Sequence, residues 1–186
     1  MANRNTQGFG LIPAGTLGST PATSGQGKYK IDAGSATTIF HGGAVASAAG
    51  YIVDGQTTDA PILGVLNGIF YNAATTLKPT FANHYVQVTP ANSEDIDAFV
   101  FDNPQQQYVV STDDALAQAG YLKTYDMNTS AGSTTTGQSS ATLDIADTSE
   151  DDASWRLLRS AEDPENDENA AFRSVVVVAN LIELQS

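Results

Sequence analysis

The chain has 186 residues, 41% of them hydrophobic, enough for one sizeable domain with a buried core. Eight basic residues stand against 21 acidic ones, a net charge of -13, which works against binding a phosphate backbone or an anionic membrane and favours solubility or association with a basic protein surface. Cysteine is absent, so disulfides, zinc ribbons and cysteine nucleophiles are excluded, and stability has to come from burial or assembly.

Residues 1–27 are rich in Gly, Ser, Thr and Pro and carry neither the 3.6-residue nor the two-residue hydrophobic period. They read as an extended N-terminal arm in front of a β-rich domain spanning 28–186. The arm lacks the continuous apolar stretch of a secretion signal. It nevertheless holds Phe9, Leu11, Ile12 and Leu17, too many bulky apolar side chains for a solvated tail. Together with Arg4 these are the candidate anchors of the arm on a partner's surface, because apolar, aromatic and Arg side chains are the usual interface anchors. A segment that orders on binding suits this role, and its glycines allow close approach. The alternative is an N-terminus folded onto its own domain, or frayed.

Tyr29 and Ile31 alternate with Lys28 and Lys30, the mark of a short half-buried strand. Thr37 to Val45 supplies β-branched and aromatic residues with a break at Gly42-Gly43, and Tyr51 to Val53 ends at the turn signal Asp54-Gly55. Ile62 to Tyr71 is nearly all apolar, with glycines at 64 and 68, which predicts a buried strand pair or one bent strand. His84 to Thr89 and Ala98 to Phe101 alternate cleanly, and Gln107 to Ser111 follows an Asn103-Pro104 turn. Asp113 to Tyr121 is the one stretch with a helical look, with Asp113 or Asp114 as N-cap and Gly120 as its stop. Beyond the polar loop Ser130 to Ser140, the last strands are expected at Ala141 to Ile145, Ser154 to Leu158 and Ser174 to Leu184. This last run is too short to cross a bilayer as a helix. Val175 to Val178 has no polar alternation, so both faces should be covered and this should be the central strand.

About ten short strands at roughly 8–12-residue spacing, with one short helix, predict an all-β barrel or sandwich-like domain. A jelly roll, a small barrel and a two-sheet sandwich all fit the pattern. No fixed-period repeat is visible, which argues against solenoids and propellers.

The sequence offers little chemistry. His41 and His84 are the only histidines, and no G-x-S-x-G elbow marks a serine as a nucleophile, so both read as structural or surface residues rather than catalytic bases or metal ligands. Ten of the 21 acidic residues fall between Asp144 and Glu168, making that segment a local negative field. Within it Asp163 to Asn169 places oxygen side chains at alternate positions, as hard-cation loops do. The sixth and twelfth positions of an EF-hand are Glu168 and Ser174 here, so that motif fails and a solvated acidic turn is the simpler reading. No glycine-rich phosphate loop is present. Tyr71, Phe81 and Tyr85 could line a sugar-binding face, although aromatics on strands more often belong to a core or an interface.

Several short motifs recur in an informative order: Met1-Ala2-Asn3-Arg4-Asn5 with Gly8-Phe9-Gly10 close behind, Tyr29 with Ile31, Phe40 to Val45, Ile62-Leu63-Gly64-Val65 with Gly68, Phe99 to Asp102, the 131–139 loop with Leu143-Asp144 after it, and a final apolar strand. In order and spacing this resembles a family of small structural proteins encoded near the major capsid gene of tailed bacteriophages, the capsid decoration or cement proteins. The resemblance runs over essentially the whole chain. It implies a non-enzymatic, β-rich virion protein without cofactor or metal. Such a protein forms a homotrimer and binds the major capsid protein on the outside of the shell at local threefold positions. It resists the pressure of packaged DNA without touching nucleic acid or membrane. The expected location is the outer capsid surface of the virion, after synthesis in the bacterial host cytoplasm. The alternative is a carbohydrate- or receptor-binding β module of the phage particle.

Overall fold

The computed structural model describes residues 3, 6–18, 25–56, 61–128, 132–146, 153–162, 164–167 and 169–185. Among these residues the first sheet holds β1 (Ile12–Thr16), β8 (Gln106–Ser111), β11 (Ser174–Ala179), β10 (Trp155–Ser160) and β9 (Thr124–Tyr125), in that spatial order. The second holds β2 (Gly27–Ile31), β7 (Ile96–Phe101), β5 (Gly64–Asn72), β3 (Ala44–Ala48) and β4 (Tyr51–Asp54), while β6 (Pro79–Ala82) pairs with the far end of β5. All strand pairings are antiparallel. The fold is all-β and sandwich-like.

Strand β11 lies in the middle of the first sheet, between β8 and β10, as its unbroken valine run requires. Val175 and Val177 enter the core between the sheets, and Val176 and Val178 are buried as well. Burying each such side chain contributes roughly 1.5–3 kcal/mol relative to exposure. Beside them Trp155 meets the Tyr108 ring edge-on, with centroids 5.6 Å apart. Buried Tyr108 donates its hydroxyl to Phe101 O (3.1 Å), which satisfies the polar tip of an otherwise apolar group. Burial, with Asp102 adding to it, pushes that phenol well above its ordinary pKa.

The second sheet separates two cores. Val65 and Phe101 face the first sheet, whereas their chain neighbours Leu66 and Val100 face a second core with Ile31, Ile39, Val45 and Ile96. Successive side chains of a strand point to opposite faces, so a strand with a core on each face is apolar throughout. That explains the apolar run Ile62 to Tyr71, in which β5 is one strand bent by a bulge between Leu66 and Gly68 and Ile62, ahead of it, makes a single bridge to Ile182. The end strands β2 and β4 touch each other, so this sheet curls around its own core.

Three expectations are corrected. Asp113 to Tyr121 is not an α-helix; only Gln118–Gly120 forms a single 3-10 turn. Nine residues are too few for a helix to sustain itself in isolation, and here Leu116 is drawn into the core while Tyr125 donates its hydroxyl to Gly120 O (2.8 Å). His84 to Thr89 and Ala141 to Ile145 are not continuous strands. Tyr85 makes a single bridge to Ile39, and Leu143 bridges Thr112 and Met127. Isolated bridges around buried residues, Tyr85 in the first and Ala141 to Leu143 in the second, fix these segments in place of a continuous ladder.

Candidate functional site: the N-terminal strap and its berth

Residues 6–18 cross the domain as a strap, and β1 is its paired part, on the edge of the first sheet beside β8. Leu17 N–H extends the attachment to Gln105 O (2.9 Å), and buried Gln106 donates its side-chain amide to Gly15 O (2.7 Å). Upstream, the strap is held by backbone contact. Gly10 N–H donates to Ala141 O (3.2 Å), Leu11 N–H to Gly42 O (2.8 Å), and the Gln138 side-chain amide to Phe9 O (2.7 Å).

Gly10 and Gly42 both adopt positive φ, +72° and +76°, and their backbones meet. A Cβ on Gly10 would stand 2.8 Å from Gly42 O, and one on Gly8 would overlap Ser140 O. Only glycine fits both the conformation and the approach. The start of the strap is fixed by Asn3, which is buried at 7% exposure. Its side-chain amide donates to Ala171 O (2.9 Å) and Asp167 O (3.2 Å), and its carbonyl oxygen accepts from Asp167 N–H.

The sequence-predicted anchors therefore divide. Leu11 is 2% exposed and belongs to the inter-sheet core of its own chain. Phe9 is half-buried. Ile12 and Leu17 remain exposed, at 46% and 36%. Arg4 lies outside the described residues.

The berth is built from motifs distant in sequence. His41 N–H donates to Gly137 O, and Ser139 N–H donates to His41 O, both at 2.9 Å, joining the 132–139 loop to the Phe40 to Val45 segment. Asn67 O accepts from His41 Nδ1 at 2.8 Å, which makes Nδ1 the protonated ring nitrogen. His84 stacks on Phe40, with centroids 6.0 Å apart and planes 6° from parallel, and Asn83 donates to Thr136 O. Both histidines hold the loop that receives the strap. Asp54 accepts from the backbone and side chain of Gln56, whose amide oxygen meets Ser139 Oγ. Burial raises the Asp54 carboxyl above its ordinary pKa, against those hydrogen bonds.

The three aromatics considered for sugar binding also part company. Tyr85 is fully buried and donates to Ser35 O (2.6 Å), so it is no platform. Tyr71 is half-buried in a groove of about 280 Å³ shared with Phe70, Asn72 and Asp95. Phe81 is 62% exposed. In the acidic segment, Asp163 and Glu168 lie outside the described residues. Asn166 organises what is described, accepting from Ser174 N–H (2.9 Å) and donating to Ser174 O (2.8 Å). Among the described residues no group of three or more His, Asp or Glu side chains is placed to hold a metal ion.

Asn3 and the glycine pair were not singled out as sites by the sequence. A short polar residue followed by a GFG spacing in an apolar arm is their only signal. Compared with known proteins, the chain matches no family model, no curated protein and no solved structure.

Proposed function

We propose that this protein decorates and stabilises the outside of a bacteriophage capsid, trimerising and binding the major capsid protein. The observation that carries this reading is the berth. Gly8-Phe9-Gly10, Phe40 to Val45 and the 132–139 loop, which supply much of the resemblance to cement proteins, contact one another directly through backbone hydrogen bonds and glycine packing. Motifs that meet in space form a unit whose spacing has a physical reason. The strap also presents Ile12 and Leu17 at a sheet edge, where another chain can cover them. Three weak contacts linked in a trimer gain effective concentration, so modest individual contacts suffice to hold such a protein on a shell. The test is mass spectrometry of purified, filled particles. High copy number supports the reading, and absence or a few copies per particle overturns it.

A second reading, a glycan- or receptor-binding module of the particle, rests on the groove beside Tyr71. It combines aromatic faces with amide and carboxylate groups, the chemistry that holds a sugar. Glycan-array binding that disappears in Tyr71→Ala would favour it.

A further inference from the structure

We infer that the cavity between the start of the strap and its own domain binds a neutral saccharide, a function that goes beyond the decoration reading and does not depend on it. The cavity holds about 430 Å³, within the range of small-molecule sites, and lies between strap residues Thr6 to Gly8 and a wall that includes Asp113, Asn128, Thr142 and Phe172. Backbone contacts fix that wall. Asp113 N–H donates to Leu143 O (3.0 Å) and Asn128 N–H donates to Thr142 O (2.7 Å), while Leu143 bridges both Thr112 and Met127. Three segments distant in sequence thereby hold their side chains at one place before any ligand arrives.

Unspent hydrogen-bonding capacity points to an occupant. Thr142 is 4% exposed, yet its hydroxyl makes no hydrogen bond to the described residues. The amide of half-buried Asn128 makes none either, and Asp113 spends one carboxylate oxygen on Ile145 N–H (2.9 Å) and leaves the other open. Buried polar groups are as a rule paired, so groups of this kind around one cavity mark a place where a polar molecule completes them. Phe172 supplies the apolar side, at φ of +57°, a conformation costly for a bulky side chain and concentrated at binding sites. The lining also selects the class of ligand. Among the described residues no Lys, Arg or His lines the cavity, and Arg173, next in the chain, is buried with its guanidinium over the Tyr121 ring. An anion would meet the Asp113 carboxylate without a counter-charge, in a chain of net charge -13. The site instead suits a molecule that donates to a carboxylate, exchanges hydrogen bonds with an amide and a hydroxyl, and lays a C–H face on an aromatic ring. A pyranose does all three.

Titration of the isotope-labelled chain with glucose, galactose, mannose and N-acetylglucosamine, each into the tens of millimolar and followed by NMR, tests this. At least one sugar should shift the amide resonances of Thr6 to Gly8, Asn128, Thr142 and Phe172 together and to saturation. Because the strap is one wall of the cavity, that sugar should also slow hydrogen exchange across residues 6–18. Thr142→Val removes a hydroxyl that has no partner, so the variant should melt no lower than wild type while affinity falls about two- to tenfold, the worth of one neutral hydrogen bond. Phe172→Gly suits the positive φ and removes the ring, and should weaken binding by at least as much. Tyr71→Ala, in the other groove, should leave binding unchanged. No saturable shift with any of these sugars, shifts confined to the surroundings of Tyr71, a stronger response to arginine amide than to any sugar, or an affinity unchanged in both Thr142→Val and Phe172→Gly would each overturn the proposal. Copy number on particles bears on decoration alone, and sugar binding by the purified chain bears on this site alone, so the two readings fail separately.

Discussion

Strand β11 and the N-terminal strap are both extended segments attached to β8 along opposite edges of that strand, and different physics holds each. β11 is held by side chains. Four consecutive valines leave water, and any apolar residue of similar volume would serve nearly as well. The strap is held chiefly by its backbone. Apart from Leu11, its attachments are hydrogen bonds made by its main chain, to other backbone groups and to the Gln106 and Gln138 side-chain amides, two close-packed glycines and the buried Asn3 amide. Volume and hydrophobicity specify the first segment, and steric absence specifies the second.

The largest expected effect lies on the β11 side of this contrast. Trp155→Ala removes a ring that packs in the inter-sheet core and leaves Tyr108 without its edge-on partner. Deleting a buried aromatic of this size costs about 3–5 kcal/mol. Urea denaturation should show that loss with the whole domain still unfolding in one step. If strap and core prove separable in that experiment, with the strap amides exchanging independently of the loss, the two segments are distinct cooperative units.

Gly10→Ala inverts the contrast, since it adds one methyl group and removes no contact. The new Cβ would face Gly42 O and the Ser139 side chain, each at 2.8 Å, on a backbone with φ of +72°. Strain of this kind costs about 1–3 kcal/mol. It should appear as faster hydrogen exchange and proteolysis across residues 6–18, while β11 amides keep their protection. Equal loss in both segments would show that strap and sheet open together.

The same contrast explains what was legible beforehand. A pattern of apolar residues reports burial directly, so Val175 to Val178 as central strand and Ile62 to Tyr71 as buried strand could be read from residue type alone, although residue type left open whether the latter was a strand pair or one bent strand. Strand β2 likewise follows from Lys28 to Ile31. A berth made of backbone groups leaves no such periodic trace. Gly10 and Gly42 are 32 positions apart in the numbering, and nothing in either motif names the other as its partner. Asn3 is one polar residue in a polar stretch until the 167–171 carbonyls are brought to it. Helix propensity over Asp113 to Tyr121 misled because local preference in a short run yields to the pull of Leu116 into the core.

Asn3→Ala sharpens the comparison at the strap's beginning. It removes the amide that donates to Ala171 O and Asp167 O, and the oxygen that accepts from Asp167 N–H. Groups so buried lose hydrogen bonds that water replaces poorly, a cost of about 1–3 kcal/mol. The effect should be local, with the amides of residues 164–174 exchanging faster, and Asn3→Asp should recover only the accepting half of the contact. If alanine leaves that exchange unchanged, the clamp contributes nothing to holding the strap.

The smallest effect belongs to Asp54, whose polar chain through Gln56 and Ser139 lies beneath the berth. Burial raises this carboxyl above its unfolded value, with the Gln56 hydrogen bonds pulling the other way. A carboxyl shifted upward binds its proton more tightly in the folded state. Its linkage to folding therefore favours the fold most below the unfolded pKa, and that advantage declines as pH rises through the folded pKa. At neutral pH the charged group is thus a net burden on the fold. Asp54→Asn keeps an oxygen to accept from Gln56 N–H and removes the charge, so stability near pH 7 should rise by a few tenths of a kcal/mol, on the order of a weak electrostatic term. The gain should shrink as pH is lowered toward the ordinary carboxylate range, because the wild-type carboxyl is then protonated as well. A variant less stable than wild type at pH 7, or an advantage that grows on acidification, would mean that the hydrogen bonds from Gln56 outweigh burial. In that case the berth beneath the strap would be stabilised by charge rather than taxed by it.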